Sequence, residues 1–177
     1  MFFGLFGKKN SNRVIVERQY ANLTAGARQP AFYASMDVPD TVMGRFEMLS
    51  LALILYFRRT AEGSRSGHEI AQEIVDAFFE DLDHSIRELG VGDLSVPKRM
   101  KKLASMFYGR LEAYSKALDA QDGELLAAAL KRNFHPQNDA APAMDKLAAY
   151  AIHAETHLKT LSEDVIATGE ALLPEAQ

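Results

Sequence analysis

The 177-residue sequence contains no cysteine, which removes disulfides, thiolate zinc sites and cysteine nucleophiles and suits a reducing compartment. It also lacks a stretch able to cross a bilayer. Its longest apolar run, Met48 to Phe57, is interrupted by Ser50 and is about half of the roughly 20 residues a spanning helix needs. That run reads instead as a buried core helix. Alternating β-branched runs are missing, so nothing favours a sheet, and no internal repeat or domain-scale linker divides the chain. Positive charge is not in excess either. A formal charge of -4 argues against a general nucleic-acid binder and against DNA as a partner, although a local basic patch can still meet an anionic surface. The start, MFFGLFGKKN, puts its apolar residues before Lys8 and Lys9, the reverse of a secretory signal, so no export is expected.

What is present is apolar spacing of three and four nearly throughout, at 47% hydrophobic and 25% charged residues, enough for a packed core. The expected fold is all-α: a single-domain bundle of about six helices with a buried central helix near 41–60. A first helix over Ser11–Arg28 should face Val14, Tyr20, Leu23 and Ala27 inward, and Pro30 ends it before an apolar plug at Phe32 and Tyr33. Asp40 or Thr41 should cap the central helix, whose Val42, Phe46, Leu49, Leu53 and Tyr56 form one stripe while Leu51, Ile54 and Leu55 make other faces apolar. Helices over His68–Leu89, Pro97–Ala120, Gly123–Asn133 (capped by Asp122) and Ala143–Ser162 follow, the last with a frayed or kinked continuation to Leu172. Residues 1–10 form an apolar and basic N-terminal segment, 11–172 the helical domain, and 173–177 are expected to be a disordered tail.

The stretch GVGDLSVPKRMKK, Gly90 to Lys102, superficially suggests a nucleotide fingerprint. It lacks the third glycine and follows a helix rather than a strand, so it fails that pattern. A corner between helices fits better: Gly90 as a left-handed cap, Asp93 or Ser95 as the next N-cap, Pro97 in the first turn. Lys98, Arg99, Lys101 and Lys102 then stand where the helix dipole favours acids, and their mutual spacing places like charges on neighbouring turns. Each such placement costs a few tenths of a kcal/mol, roughly. Either the acidic third helix neutralises them, or they form a solvated face, or they wait for a phosphate, an anionic lipid or an acidic protein. Gly109, in Phe107-Tyr-Gly-Arg110, allows close helix packing or opens a groove beside Tyr108 and Arg110. Phe2, Phe3, Leu5, Phe6, Lys8 and Lys9 suit a membrane interface, or else pack on the domain or stay disordered. His84, His153 and His157 lack the spacing of a metal site, no catalytic constellation emerges, and no metal or other cofactor is expected.

Several spaced motifs together resemble the ubiquinol-cytochrome c chaperone family: Arg28-Gln-Pro-Ala-Phe-Tyr33, Val38-Pro-Asp-Thr41 with Gly44-Arg45-Phe46, Glu88-Leu-Gly-Val-Gly-Asp93, then Val96, Lys98, Met100-Lys-Lys102 and Phe107-Tyr-Gly-Arg110. The resemblance implies a non-enzymatic assembly factor for ubiquinol-cytochrome c reductase, respiratory complex III. It implies cytochrome b as the client, a small assembly-factor partner, and work at the inner face of the cytoplasmic membrane by a cytoplasmic, peripheral protein. Mitochondrial members also bind the ribosome; whether this chain does is left open. On this reading a face containing Arg45, Lys98, Arg99, Lys101, Lys102, Tyr108 and Arg110 contacts client or membrane. The alternatives are a metal- or haem-binding helical protein using the histidines, and a ribosome-associated factor reading phosphate through the basic turn.

Overall fold

The apolar run near Met48 forms the middle of the molecule in the computed structural model, which describes the backbone of residues 4–176 and side chains of residues 12–176. Phe2 and Phe3 lie outside the described residues, as do the side chains of Leu5, Phe6, Lys8 and Lys9. In chain order the helices are α1 (Gly4–Ala27), α2 (Pro30–Ser35), α3 (Val42–Ala61), α4 (Arg65–Glu88), α5 (Val96–Asp119), α6 (Gly123–Phe134), α7 (Asp145–Thr160) and α8 (Glu163–Thr168). A 3-10 turn, Asp93–Ser95, leads into α5. No strand occurs among the described residues.

The six expected helices are all present, and α2 and α8 turn the expected plug and kinked continuation into separate short helices. Around α3 pack α1, α4, α5, α6 and α7. Its residues Met48, Leu51, Ala52, Leu53, Ile54, Leu55 and Tyr56 are all buried, and between Met48 and Tyr56 Leu49 alone is partly exposed, so the helix has almost no solvent side over that length, as its all-round apolar pattern requires. Thr41 caps it, with its Oγ1 accepting from the Gly44 N–H at 3.0 Å. This tight entry needs glycine, because a Cβ at Gly44 would lie 1.9 Å from the Pro39 carbonyl oxygen. The first residue of the expected stripe, Val42, is nevertheless 68% exposed: the first turn of α3 projects beyond the core.

In α1 the inward register differs from the expected one. Val14 faces solvent, and Val16, Gln19, Leu23 and Ala27 are buried, a spacing of three, four and four. The polar Gln19 hides this register from a hydrophobicity pattern. Its buried amide donates to the Ala171 carbonyl at 2.8 Å and accepts from the Ala171 N–H at 3.0 Å, replacing the bonds a peptide partner would make. Gln29 does the same to the end of the chain, donating to the Pro174 carbonyl and accepting from the Ala176 N–H at 2.7 Å; the Tyr150 hydroxyl also donates to the Pro174 carbonyl. The tail expected to be disordered is therefore fixed through residue 176. Residues 169–176 form a strap across α1, held by side-chain amides that satisfy its backbone.

The corner between α4 and α5 closes as expected at Gly90, with φ of 79°. The Val91 N–H donates to the Ile86 carbonyl and the Gly90 N–H to the Arg87 carbonyl, the paired bonds of a Schellman stop. The expected cap of α5 is corrected. Ser95 makes no side-chain cap bond, and the Asp93 carboxylate accepts from Arg87 instead. The 3-10 turn feeds directly into α5, with Pro97 in the first turn, where its missing N–H costs nothing.

Candidate functional site

Where the first turn of α3, the end of α4, the first half of α5 and the end of α6 meet, they leave an open groove of about 790 Å³. Its wall is apolar: Phe46 of α3, Leu82 and Ile86 of α4, Leu103 and Met106 of α5, and Phe134 of α6. At the lips stand Val42, Met43 and Leu89, all exposed and the last at 66%. Exposed apolar side chains gathered along one concavity, rather than scattered singly, mark an interaction surface. Arg99, Lys102 and Arg132 bring three cations to the same lining.

At the floor Arg110 meets Glu47. The guanidinium Nε and Nη2 donate to the two carboxylate oxygens at 2.6 Å each, and Nη1 donates to the Met106 carbonyl at 2.9 Å. Both side chains are nearly inaccessible. Burial raises the Glu47 carboxyl above the ordinary carboxylate range, against the opposing pull of Arg110. A bidentate fork of this kind fixes both side chains in one geometry, so the groove is lined on a rigid base.

The expected docking face is thus divided. Arg99, Lys102 and Arg110 share one stripe of α5 with Leu103 and Met106 and line the groove. Lys98 and Lys101 are exposed outside the lining. Tyr108 turns away from the groove and stacks against Phe79 of α4 with ring centroids 6.4 Å apart. Arg45 lies apart, paired with Asp40 at 2.8 Å beside a separate hollow lined by Arg28 and Tyr33. Arg110 is corrected from a surface cation to a floor residue, because its charge is spent on Glu47. Gly109 is also corrected as a packing glycine: nothing lies within 4 Å of where its Cβ would stand.

The acidic helix does not neutralise the basic turn. Asp83 and Asp93 pair with Arg87, and Glu88 with His84, while Asp81 accepts from the Tyr20 hydroxyl. Among the described residues, none of the ion pairs involves Lys98, Arg99, Lys101 or Lys102. Also among the described residues, no three potential metal-ligating groups converge; His153 and His157 sit on α7, and His84 near the end of α4.

Sequence reasoning missed Glu47, Met43, Arg132 and Phe134. A signal existed for Glu47: an acid within the apolar Phe46-to-Phe57 stretch needs a buried cation. Arg110 supplied one, three residues after Phe107 and four before Tyr114 in the inward register of α5.

Comparison with known proteins places this geometry in context. A family model described as Ubiquinol-cytochrome C chaperone matches residues 34–173, a span that includes every wall of the groove. The crystal structure of the Cbp3 homolog from Brucella abortus is 47% identical, with a TM-score of 0.89 over 99% of this chain and 98% of that one. The ubiquinol-cytochrome-c reductase complex assembly factor 1 of Xenopus laevis is 27% identical over 143 residues, covering 80% of this chain and 71% of the frog protein. Its counterpart in Homo sapiens is 23% identical over 159 residues, 89% of this chain and 53% of the human protein. This chain therefore spans about half the length of that relative.

Proposed function

The chain belongs to the ubiquinol-cytochrome c chaperone family, and from that premise we propose that it is a non-enzymatic assembly factor for complex III that holds cytochrome b, before assembly, in the groove between α3, α4, α5 and α6. The observation that carries this reading is the groove itself: an apolar wall, exposed apolar lips and a cationic rim on one rigid floor. An integral membrane client offers apolar segments ending in polar loops. The wall suits the former, and Arg99, Lys102 and Arg132 suit acidic groups in the latter.

Holding requires reversible binding rather than chemistry. The two charged groups at the groove floor are committed to each other, so neither is poised as a base or an electrophile. Among the described residues no helix is long and apolar enough to cross a membrane. On the family reading, the protein meets its client at the inner face of the cytoplasmic membrane. A small partner protein, as the family resemblance implies, would have the outer face of α5 and α4 available.

Photo-crosslinking tests the assignment. With benzoylphenylalanine in place of Met43, irradiation in cells should give an adduct containing cytochrome b. The same probe at Tyr108, outside the groove, should give little. An adduct from Tyr108 and none from Met43 would move the client to the other side of α5 and refute the groove.

A further inference from the structure

The corner joining α4 to α5 carries a surface that extends past the groove: Leu94, Lys98 and Lys101 lie outside its lining, while Leu89, Arg99 and Lys102 are shared with it. Leu94, in the middle of the 3-10 turn, is 100% exposed, and Leu89 stands exposed at the end of α4. Gly90 and Gly92 have nothing within 4 Å of where a Cβ would be, so this end of the molecule is a projecting tip without covering side chains. Immediately after it come Lys98, Arg99, Lys101 and Lys102. All four are exposed, and none is paired among the described residues.

We infer that this tip docks the protein on an anionic lipid bilayer, Leu94 and Leu89 entering the interface while the four cations meet headgroup phosphates. Three features favour lipid over a protein partner at this spot. The apolar residues project, as insertion into a fluid interface requires, whereas a folded partner would have to be concave to receive them. The cations carry no fixed acceptors of their own and spread over a full turn of helix, suiting a diffuse array of phosphates rather than one bidentate pair. The rest of the chain compensates to a net charge of -4, so this positive edge orients the molecule, with its acidic remainder away from an anionic surface. Because Leu89, Arg99 and Lys102 also border the groove, docking this way turns the groove mouth toward the membrane. The inference adds a lipid contact to the client groove and is read by a separate measurement, so either can fail alone.

Vesicle flotation with the full chain tests it. The wild type should float with phosphatidylcholine vesicles containing about one-third phosphatidylglycerol, remain below with pure phosphatidylcholine, and be released by salt. Lys98→Gln with Lys101→Gln, neither of which lines the groove, should weaken the apparent partition by about fivefold per charge removed. Leu94→Ser should weaken it by about tenfold. Both changes lie on exposed positions, and an unchanged helical circular dichroism spectrum verifies folding. Absence of wild-type binding, equal binding to both vesicle types, or turn variants that float like the wild type would each overturn the inference. So would a photo-crosslinker at Leu94 that captures cytochrome b while Leu94→Ser leaves flotation intact, which would assign the tip to the client.

Discussion

Two glycines of similar sequence context have opposite structural meaning. Gly44 and Gly109 each stand beside an arginine and near an aromatic residue. At Gly44 a side chain would collide with the Pro39 carbonyl, whereas at Gly109 it would meet open space. Thermal unfolding should separate them. Gly44→Ala should lower Tm by displacing the entry to α3, and Gly109→Ala should raise stability by about 1 kcal/mol, the helix-interior cost of glycine. The Glu47–Arg110 pair gives a second residue-scale expectation. Arg110→Met strands a buried carboxylate and should cost about 3–5 kcal/mol in denaturant unfolding, whereas Glu47→Met combined with Arg110→Met should recover most of that loss. A loss in the double variant as large as in the single one would show that the pair is not the cause. Residues of this kind set the limit of what the sequence reveals. Gln19 and Glu47 are buried polar groups whose partners lie 152 and 63 positions away, and no local periodicity encodes that pairing.

At the scale of elements, patterns were far more legible. The central helix, its Thr41 cap, the Asp122 cap of α6 and the Gly90 stop of α4 all follow from local rules about apolar spacing and capping, and all are present. The short α8 and the strap that follows it were harder, because their stability comes from contacts to distant helices. Glu163 is the clearest such contact. It accepts from the Ser64 N–H at 2.9 Å and from Arg59 at 2.7 Å, joining α8 to the end of α3 and the start of α4. Those bonds, the Ser64 N–H first, hold its carboxyl down at about 2. A folded-state value below the unfolded one means that its contribution is complete above roughly pH 4.5 and is lost as pH falls toward 2. Amide exchange in α8 should therefore accelerate over that window. Glu163→Gln should show fast exchange already at neutral pH and little further change on acidification; a wild-type profile flat down to pH 2 would remove Glu163 from the docking of α8.

Over the whole molecule, the described residues form a helical bundle with an apolar, cation-rimmed groove. The all-α class and the family are legible in the sequence alone, because helical periodicity is local and the spaced motifs are specific. Where the expected docking residues would lie was only half readable. Composition identified Lys98, Arg99, Lys101 and Lys102 as misplaced charges, yet helix register and long-range packing decide that Arg99 and Lys102 border the groove, that Tyr108 turns away and that Arg110 is consumed inside. We propose that this groove, and not the bundle alone, supports complex III assembly. The most direct test is cytochrome b content, measured spectroscopically in membranes of a host deleted for this chain and complemented with the wild type or with Val42→Asp, Met43→Asp. Deletion should abolish cytochrome b and complex III, the wild type should restore both, and the folded groove variant should restore neither. Normal cytochrome b in the deletion host, or full recovery with the groove variant, would contradict it.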